Sequence, residues 1–129
     1  FRKPKPIGQD LILEKTDEQL KLAGGYDHHF VLSKKKSNIM KLAATVVDPQ
    51  SGRKMEVLTN EPCIHFFSAN FFNGSDIGKM EEPINYRESF ALETQRFPFV
   101  PNQKSYPTII LNPGETYKAK TLYRFSVVK

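Results

Sequence analysis

The sequence predicts an all-β protein, an antiparallel β-sandwich, and three observations carry that expectation. From Phe30 onward, runs of apolar and polar residues alternate and are separated by turns rich in Gly, Pro, Asn and Asp. Hydrophobic residues make up 39% and aromatics 12%, with ten Phe and five Tyr spread along the chain, a composition that argues against disorder and against a helical bundle. Only one short segment, near Asp17, carries helix-start chemistry. Strands spaced by turns with little helix pack as sheet on sheet. At 129 residues the chain is expected to form one domain, residues 1–129, in which 1–24 is an extended leader with a short helical turn.

The elements follow in order. Pro4, Pro6 and Gly8 keep the first ten residues extended. Thr16-Asp17-Glu18-Gln19 has the spacing of a capping box, and Gly24-Gly25 terminates a helical segment from about Asp17 to Leu22. Lys41 to Val47 and Lys54 to Thr59 are strands joined into a hairpin by Asp48-Pro49-Gln50-Ser51-Gly52. Cys63 to Ala69 is a further strand, closed downstream by Asn73-Gly74, and 73–85 is irregular. Glu88 to Gln95 is next. Pro98, Pro101 and Pro107 make 97–107 a loop, since proline cannot donate to a ladder. Asn112-Pro113-Gly114-Glu115 turns the chain into a last strand, Tyr117 to Val127, in which Tyr117, Ala119, Thr121, Tyr123, Phe125 and Val127 share one side, expected to be buried.

Charge and cysteine usage exclude several classes. The net charge is +5, yet only Lys34-Lys35-Lys36 forms a block; the other cations alternate with acids or apolar residues, as on a solvated strand face, so no nucleic-acid partner is expected. Cys63 is the single cysteine, which rules out an intramolecular disulfide and a cysteine metal cluster. No stretch approaches an apolar membrane span, so no membrane partner is expected and the cytoplasm is the expected compartment. Gly-rich phosphate loops, a serine nucleophile elbow and paired-cysteine spacing are absent, and no cofactor is expected.

Among the residues that can do chemistry, Glu93 stands out. In Phe90-Ala91-Leu92-Glu93-Thr94-Gln95-Arg96-Phe97-Pro98, strand alternation sets its carboxylate opposite Phe90 and Leu92 and on the side of Gln95. A base facing a polyhydroxylated ligand, with Gln95 beside it, is one reading; a strand-surface acid paired with Arg87 or Arg96 is the other. His28 and His29, being adjacent in extended chain, point to opposite faces and cannot share a metal, and no metal site is expected. His65 either borders a cleft or is an ordinary surface or core histidine, and Asp27, after Gly24-Gly25-Tyr26, reads locally as a turn residue.

Taken together, Gly25-Tyr26-Asp27-His28, the segment from Glu61-Pro62 through Asn70-Phe71, Ser51-Gly52-Arg53 with Met55-Glu56-Val57, Leu92-Glu93-Thr94-Gln95 with Phe97-Pro98, and Asn112-Pro113-Gly114-Glu115-Thr116-Tyr117 resemble, in order and spacing, the carboxyl-terminal half of the galactose mutarotase (aldose 1-epimerase) family. The resemblance implies about half of a large β-sandwich that holds a free aldose in a cleft. It implies a glutamate, at the position of Glu93, that takes the proton from the anomeric hydroxyl while a histidine protonates the ring oxygen, and a carboxylate, at the position of Asp27, that binds sugar hydroxyls. His65 stands where the family has a sugar-contacting Gln, Cys63 where it has Gly, and His29 where it has Asn. Residues 27, 65 and 95 are therefore the expected substrate-binding set and Glu93 the expected catalytic residue. The family's acid histidine, second histidine and binding arginine lie upstream and have no counterparts here. The resemblance thus implies an isomerase of carbohydrate metabolism that needs an amino-terminal half, or, alternatively, a non-catalytic carbohydrate-binding or remnant domain. Half a sandwich exposes strand edges and an apolar face, so association is expected, with a second copy of the chain or with a complementary chain.

Overall fold

In the computed structural model, which describes residues 1–32, 38–98, 105–106 and 108–128, the strands are β1 (Asp27–Val31), β2 (Lys41–Val47), β3 (Arg53–Thr59), β4 (Cys63–Phe67), β5 (Ala91–Gln95) and β6 (Thr121–Val127). They form two three-stranded sheets, of order β1-β4-β5 and β2-β3-β6. Both are antiparallel and helix is scarce, the make-up of the predicted all-β sandwich. The Lys34-Lys35-Lys36 block and Pro101 and Pro107 of the proline-rich loop lie outside the described residues. Among the described residues no helix is long and apolar enough to cross a membrane.

The helix near the start forms one residue later than the capping-box spacing predicts. It is α1, Glu18–Ala23, and its cap is Asp17, whose side chain accepts from the backbone N–H of Gln19 and of Leu20, each at 3.0 Å. Thr16 cannot serve, because its hydroxyl donates backward to the carbonyl of Leu13 at 3.2 Å. Gly24, at φ 64°, supplies the left-handed C-cap. The leader before α1 is also less extended than its prolines suggest, with 3-10 turns at Ile7–Gln9 and Leu11–Leu13. Replacing Asp17 with Ala is expected to cost about 1 kcal/mol, read as a drop of about 4 °C in Tm; an unchanged Tm would show that packing of Leu20, not the cap, holds this segment.

The predicted hairpin is present. β2 and β3 pair from Lys41↔Thr59 to Val47↔Lys54, with a bulge between Leu42 and Ala44. Asp48 nucleates the turn by accepting from the backbone of Gln50 and Ser51, and its carbonyl takes the Gly52 N–H at 2.8 Å. β6 then adds to β3 in register from Arg53↔Val127 to Thr59↔Thr121.

Three strands are shorter than predicted, and each shortening has a local cause. β4 ends at Phe67 because Ser68 and Asn70 turn their side chains to the Tyr26 backbone and Ala69 takes φ 54°. β5 starts at Ala91: Arg87 is at φ 60°, and Glu88 accepts from the backbone and side-chain nitrogens of Asn85 at 3.0 Å each. β6 starts at Thr121 because the residues before it bond to side chains, Lys120 N–H to Asn60 Oδ1 at 2.8 Å and Tyr117 hydroxyl to Glu61 Oε1 at 2.9 Å.

The expectation that one side of the last strand is buried does not hold. Phe125 is 74% exposed and Val127 67%, and every residue of β6 after Thr121 is exposed. β6 lies at the edge of its sheet. The alternation is real, since Val57 of β3, opposite Tyr123, is fully buried, but a period-2 pattern says only which side a residue takes, and burial requires a second layer over it.

Contacts gather the chain into two compact units, one of Phe1–His28 with His65–Glu93 and the other of His29–Ile64 with Thr94–Lys129. In the first, Tyr26 and Phe66 stack at 5.0 Å, Phe1 meets both at 5.2 and 5.6 Å, and Phe90 meets Phe66 edge-on at 6.3 Å. In the second, buried Cys63 and Phe97 pack with Tyr106, whose ring lies 4.4 Å from that of Phe97. Burial pushes the Cys63 thiol up to about 11, so it behaves as a small apolar side chain.

Candidate functional site

Asp27 is placed by the turn that precedes it. Gly25, at φ 142°, is buried against the Asn70 amide, where a Cβ would collide with that side chain, so only glycine lets the chain pass. Tyr26 is then held from three directions. Its N–H donates to Ser68 Oγ at 2.9 Å, its carbonyl accepts from Asn70 Nδ2 at 2.9 Å, and its hydroxyl donates to Asp10 Oδ2 at 2.9 Å. Lys5 also binds Asp10. Burial, and then the Asp10 carboxylate, push the Tyr26 phenol above the ordinary tyrosine range, while Lys5, and then the Tyr26 hydroxyl, hold Asp10 below the ordinary carboxylate range. The phenol therefore stays protonated and the acid ionised, which fixes the direction of that bond.

With its backbone so held, Asp27 meets His65 of β4. His65 Nε2 lies 2.7 Å from Asp27 Oδ1, and the side chains are 12% and 32% exposed respectively. An ionised carboxylate only accepts, so Nε2 carries the proton. Phe66, the next residue of β4, turns to the aromatic cluster, which leaves His65 on the opposite side of the strand. His28 stays out of this group: its Nδ1 accepts the Asp27 N–H at 2.9 Å and its ring stands edge-on to Tyr26.

Glu93, in the same unit as Asp27 and His65, is exposed in the middle of β5 and makes no hydrogen bond or ion pair among the described residues. Both cations that a merely structural acid would pair with are committed elsewhere. Arg87 binds Glu14 at 2.6 Å and the Gly24 carbonyl at 2.9 Å. Arg96 lies 3.3 Å from Glu61, donates to the Thr108 carbonyl at 3.1 Å and stacks over Tyr117. The carboxylate of Glu93 is left exposed, without a hydrogen bond or ion pair among the described residues.

Gln95 bonds to a histidine of its own unit. Its Nε2 lies 2.6 Å from His29 Nε2 within the second unit, so the amide donates to that ring nitrogen, and the carbonyl end, Oε1, has no hydrogen bond among the described residues. His29 was read from the sequence only as a non-ligand, although its spacing of two from Asp27 along β1 was the signal that it takes the same side of the strand. The trio of buried Glu61, half-buried Arg96 and exposed Tyr117 carried no local signal, because its members come from separate segments of the chain. Burial, then Glu61, raise the Tyr117 phenol above the ordinary range, so it too donates to a carboxylate.

Comparison with known proteins gives this arrangement a context. The family model for aldose 1-epimerase matches residues 1–124. The galactose mutarotases of Rattus norvegicus and Homo sapiens are 39% and 37% identical over 127 residues, covering 98% of this chain and 34% of theirs. The aldose 1-epimerase of Escherichia coli (strain K12) is 34% identical over 127 residues, covering 97% of this chain and 35% of its own. The chain thus spans about a third of the length of the curated relatives it matches.

Proposed function

Because the chain belongs to the aldose 1-epimerase family, we propose that it supplies the base-bearing part of an isomerase that interconverts the α and β anomers of a free aldose. Glu93 takes the proton of the anomeric hydroxyl, the bond between the anomeric carbon and the ring oxygen breaks as the carbonyl forms, and the ring oxygen receives a proton. Rotation about the adjoining carbon–carbon bond and reclosure on the other carbonyl face deliver the opposite anomer and return the proton. Both steps are proton transfers, so the chemistry calls for no cofactor. Asp27 accepts a sugar hydroxyl beside His65 in the first unit, and Gln95, in the second unit, offers its unengaged Oε1 to a hydroxyl. The observation that carries this reading is Glu93 itself: an accessible carboxylate whose two candidate structural partners, Arg87 and Arg96, are taken by Glu14 and Glu61. Polarimetry on freshly dissolved α-D-galactose or α-D-glucose tests it; equilibration no faster than in buffer, with or without a complementary amino-terminal segment, would reject it.

The proton donor to the ring oxygen comes, in this reading, from outside residues 1–129. The open apolar side chains of β6, Phe125 and Val127, support association, since folded proteins cover such rows. Sedimentation velocity over a hundredfold range of concentration is expected to show a second species, and Phe125→Lys is expected to abolish it; a monomer throughout would reject self-association. A cytoplasmic setting is part of the same proposal and accords with a free, buried thiol at Cys63.

A second reading, a non-catalytic carbohydrate-binding domain, is favoured by His65, which binds Asp27 where the family pattern has Gln. Aldose binding without any acceleration of anomer exchange would establish it.

A further inference from the structure

Asp27 has one oxygen engaged and one open. Oδ1 accepts from His65 Nε2 at 2.7 Å, whereas Oδ2 makes no hydrogen bond among the described residues, although the side chain is 32% exposed and so within reach of a ligand. The backbone beneath it is fixed by Ser68, Asn70 and Gly25, which leaves rotation about the side chain as its main freedom. His65 removes that freedom. Its side chain is only 12% exposed, which limits its own movement, and the bond to Oδ1 then sets the plane of the carboxylate.

We infer that His65 is a positioning residue for substrate: by holding Oδ1, it aims the free Oδ2 of Asp27 at a single hydroxyl of a neutral aldose. This rests on the sugar-binding reading above and extends it in one respect. A carboxylate free to rotate offers several acceptor directions and loses entropy when a ligand selects one; a carboxylate already clamped on one side loses none, and accepts from a hydroxyl at one place only. A sugar lacking that hydroxyl leaves the oxygen without a partner, and the site rejects it. What His65 must supply is one N–H donor at the right distance. A glutamine amide has such a donor and a leucine of similar bulk has none.

The inference is tested by titrating the full chain with D-galactose and its deoxy analogues, for wild type, His65→Gln and His65→Leu, while following the imidazole nitrogens of His65 and the side-chain carboxyl carbon of Asp27 by NMR. Wild type is expected to bind, with the Asp27 carboxyl signal moving on addition of sugar and the Nε2–H tautomer retained. His65→Gln is expected to keep affinity within about threefold, and His65→Leu to lose about tenfold or more, the scale of one charge-assisted hydrogen bond. One deoxy analogue is expected to bind as weakly to wild type as galactose does to His65→Leu. The thermal transition of each variant is recorded beside the titration, and if His65→Leu fails to fold, the comparison is made between His65→Gln and Asp27→Asn, where loss of binding in the second alone is the expected result. Binding by wild type that is matched by a folded His65→Leu overturns the positioning role while leaving the sugar site standing. No binding by wild type overturns the sugar-binding reading, and the inference with it.

Discussion

Exchange of Glu93 for Gln is expected to slow anomer equilibration by about 10² to 10⁴-fold, the worth of a well-placed general base, and to leave stability unchanged. The two halves of that expectation come from the same observation. Glu93 is exposed on β5 and has no hydrogen bond or ion pair among the described residues, so removing its charge breaks no native contact, and a surface exchange of this kind moves stability by less than about 0.5 kcal/mol. Its amide replacement keeps shape and hydrogen-bonding capacity but cannot take a proton at neutral pH. Polarimetry on α-D-galactose, with the chain alone and with a complementary amino-terminal segment, reads the rate, and thermal unfolding reads the stability. A Glu93→Gln protein that equilibrates anomers as fast as wild type would remove Glu93 from the mechanism. One that unfolds several degrees early would show a structural acid after all.

Replacing Arg96 with Leu is expected to be the most destabilising of the single changes considered, by about 3 kcal/mol, seen as a fall in Tm on the order of 10 °C. Glu61 is 3% exposed, its Oε1 is held by the Tyr117 hydroxyl at 2.9 Å, and its Oε2 has no hydrogen bond and only the Arg96 guanidinium 3.3 Å away. Without that guanidinium an ionised carboxylate is buried with half its partners gone. The pair itself contributes much less than its disruption costs, so the double exchange Glu61→Leu with Arg96→Leu is expected to recover most of the loss. A single Arg96→Leu variant within about 2 °C of wild type would mean the ion pair is dispensable. Alkali offers an independent check. The Tyr117 phenol is raised above its ordinary range in the folded chain, so the bond to Glu61 is intact below that range and its contribution is lost as pH rises through the folded value.

These effects separate local from long-range information in the chain. The hairpin of β2 and β3, its Asp48 turn and the Gly24 cap were legible because each is decided within a few residues: alternation chooses the side, a carboxylate or glycine chooses the turn. The alternation that sets Glu93 on the side of Gln95 was legible for the same reason, whereas β1, with Asp27 read as a turn residue, was not. The order of family motifs from Gly25 to Tyr117 carried the chemistry further than any local pattern, since the local reading of Glu93 left base and surface acid open.

What the sequence by itself determined is therefore five of the six strands, all but β1, the alternation of sides within them, and the family. Tertiary structure alone decided who meets whom: Asp27 with His65 across 38 positions, Arg96 with Glu61 rather than Glu93, and Gln95 with His29 across 66. It also decided that the apolar side of β6 lies open. The physical reason is that backbone preference acts over one or two turns of chain, whereas pairing and burial depend on which strand is laid beside which and on what covers them.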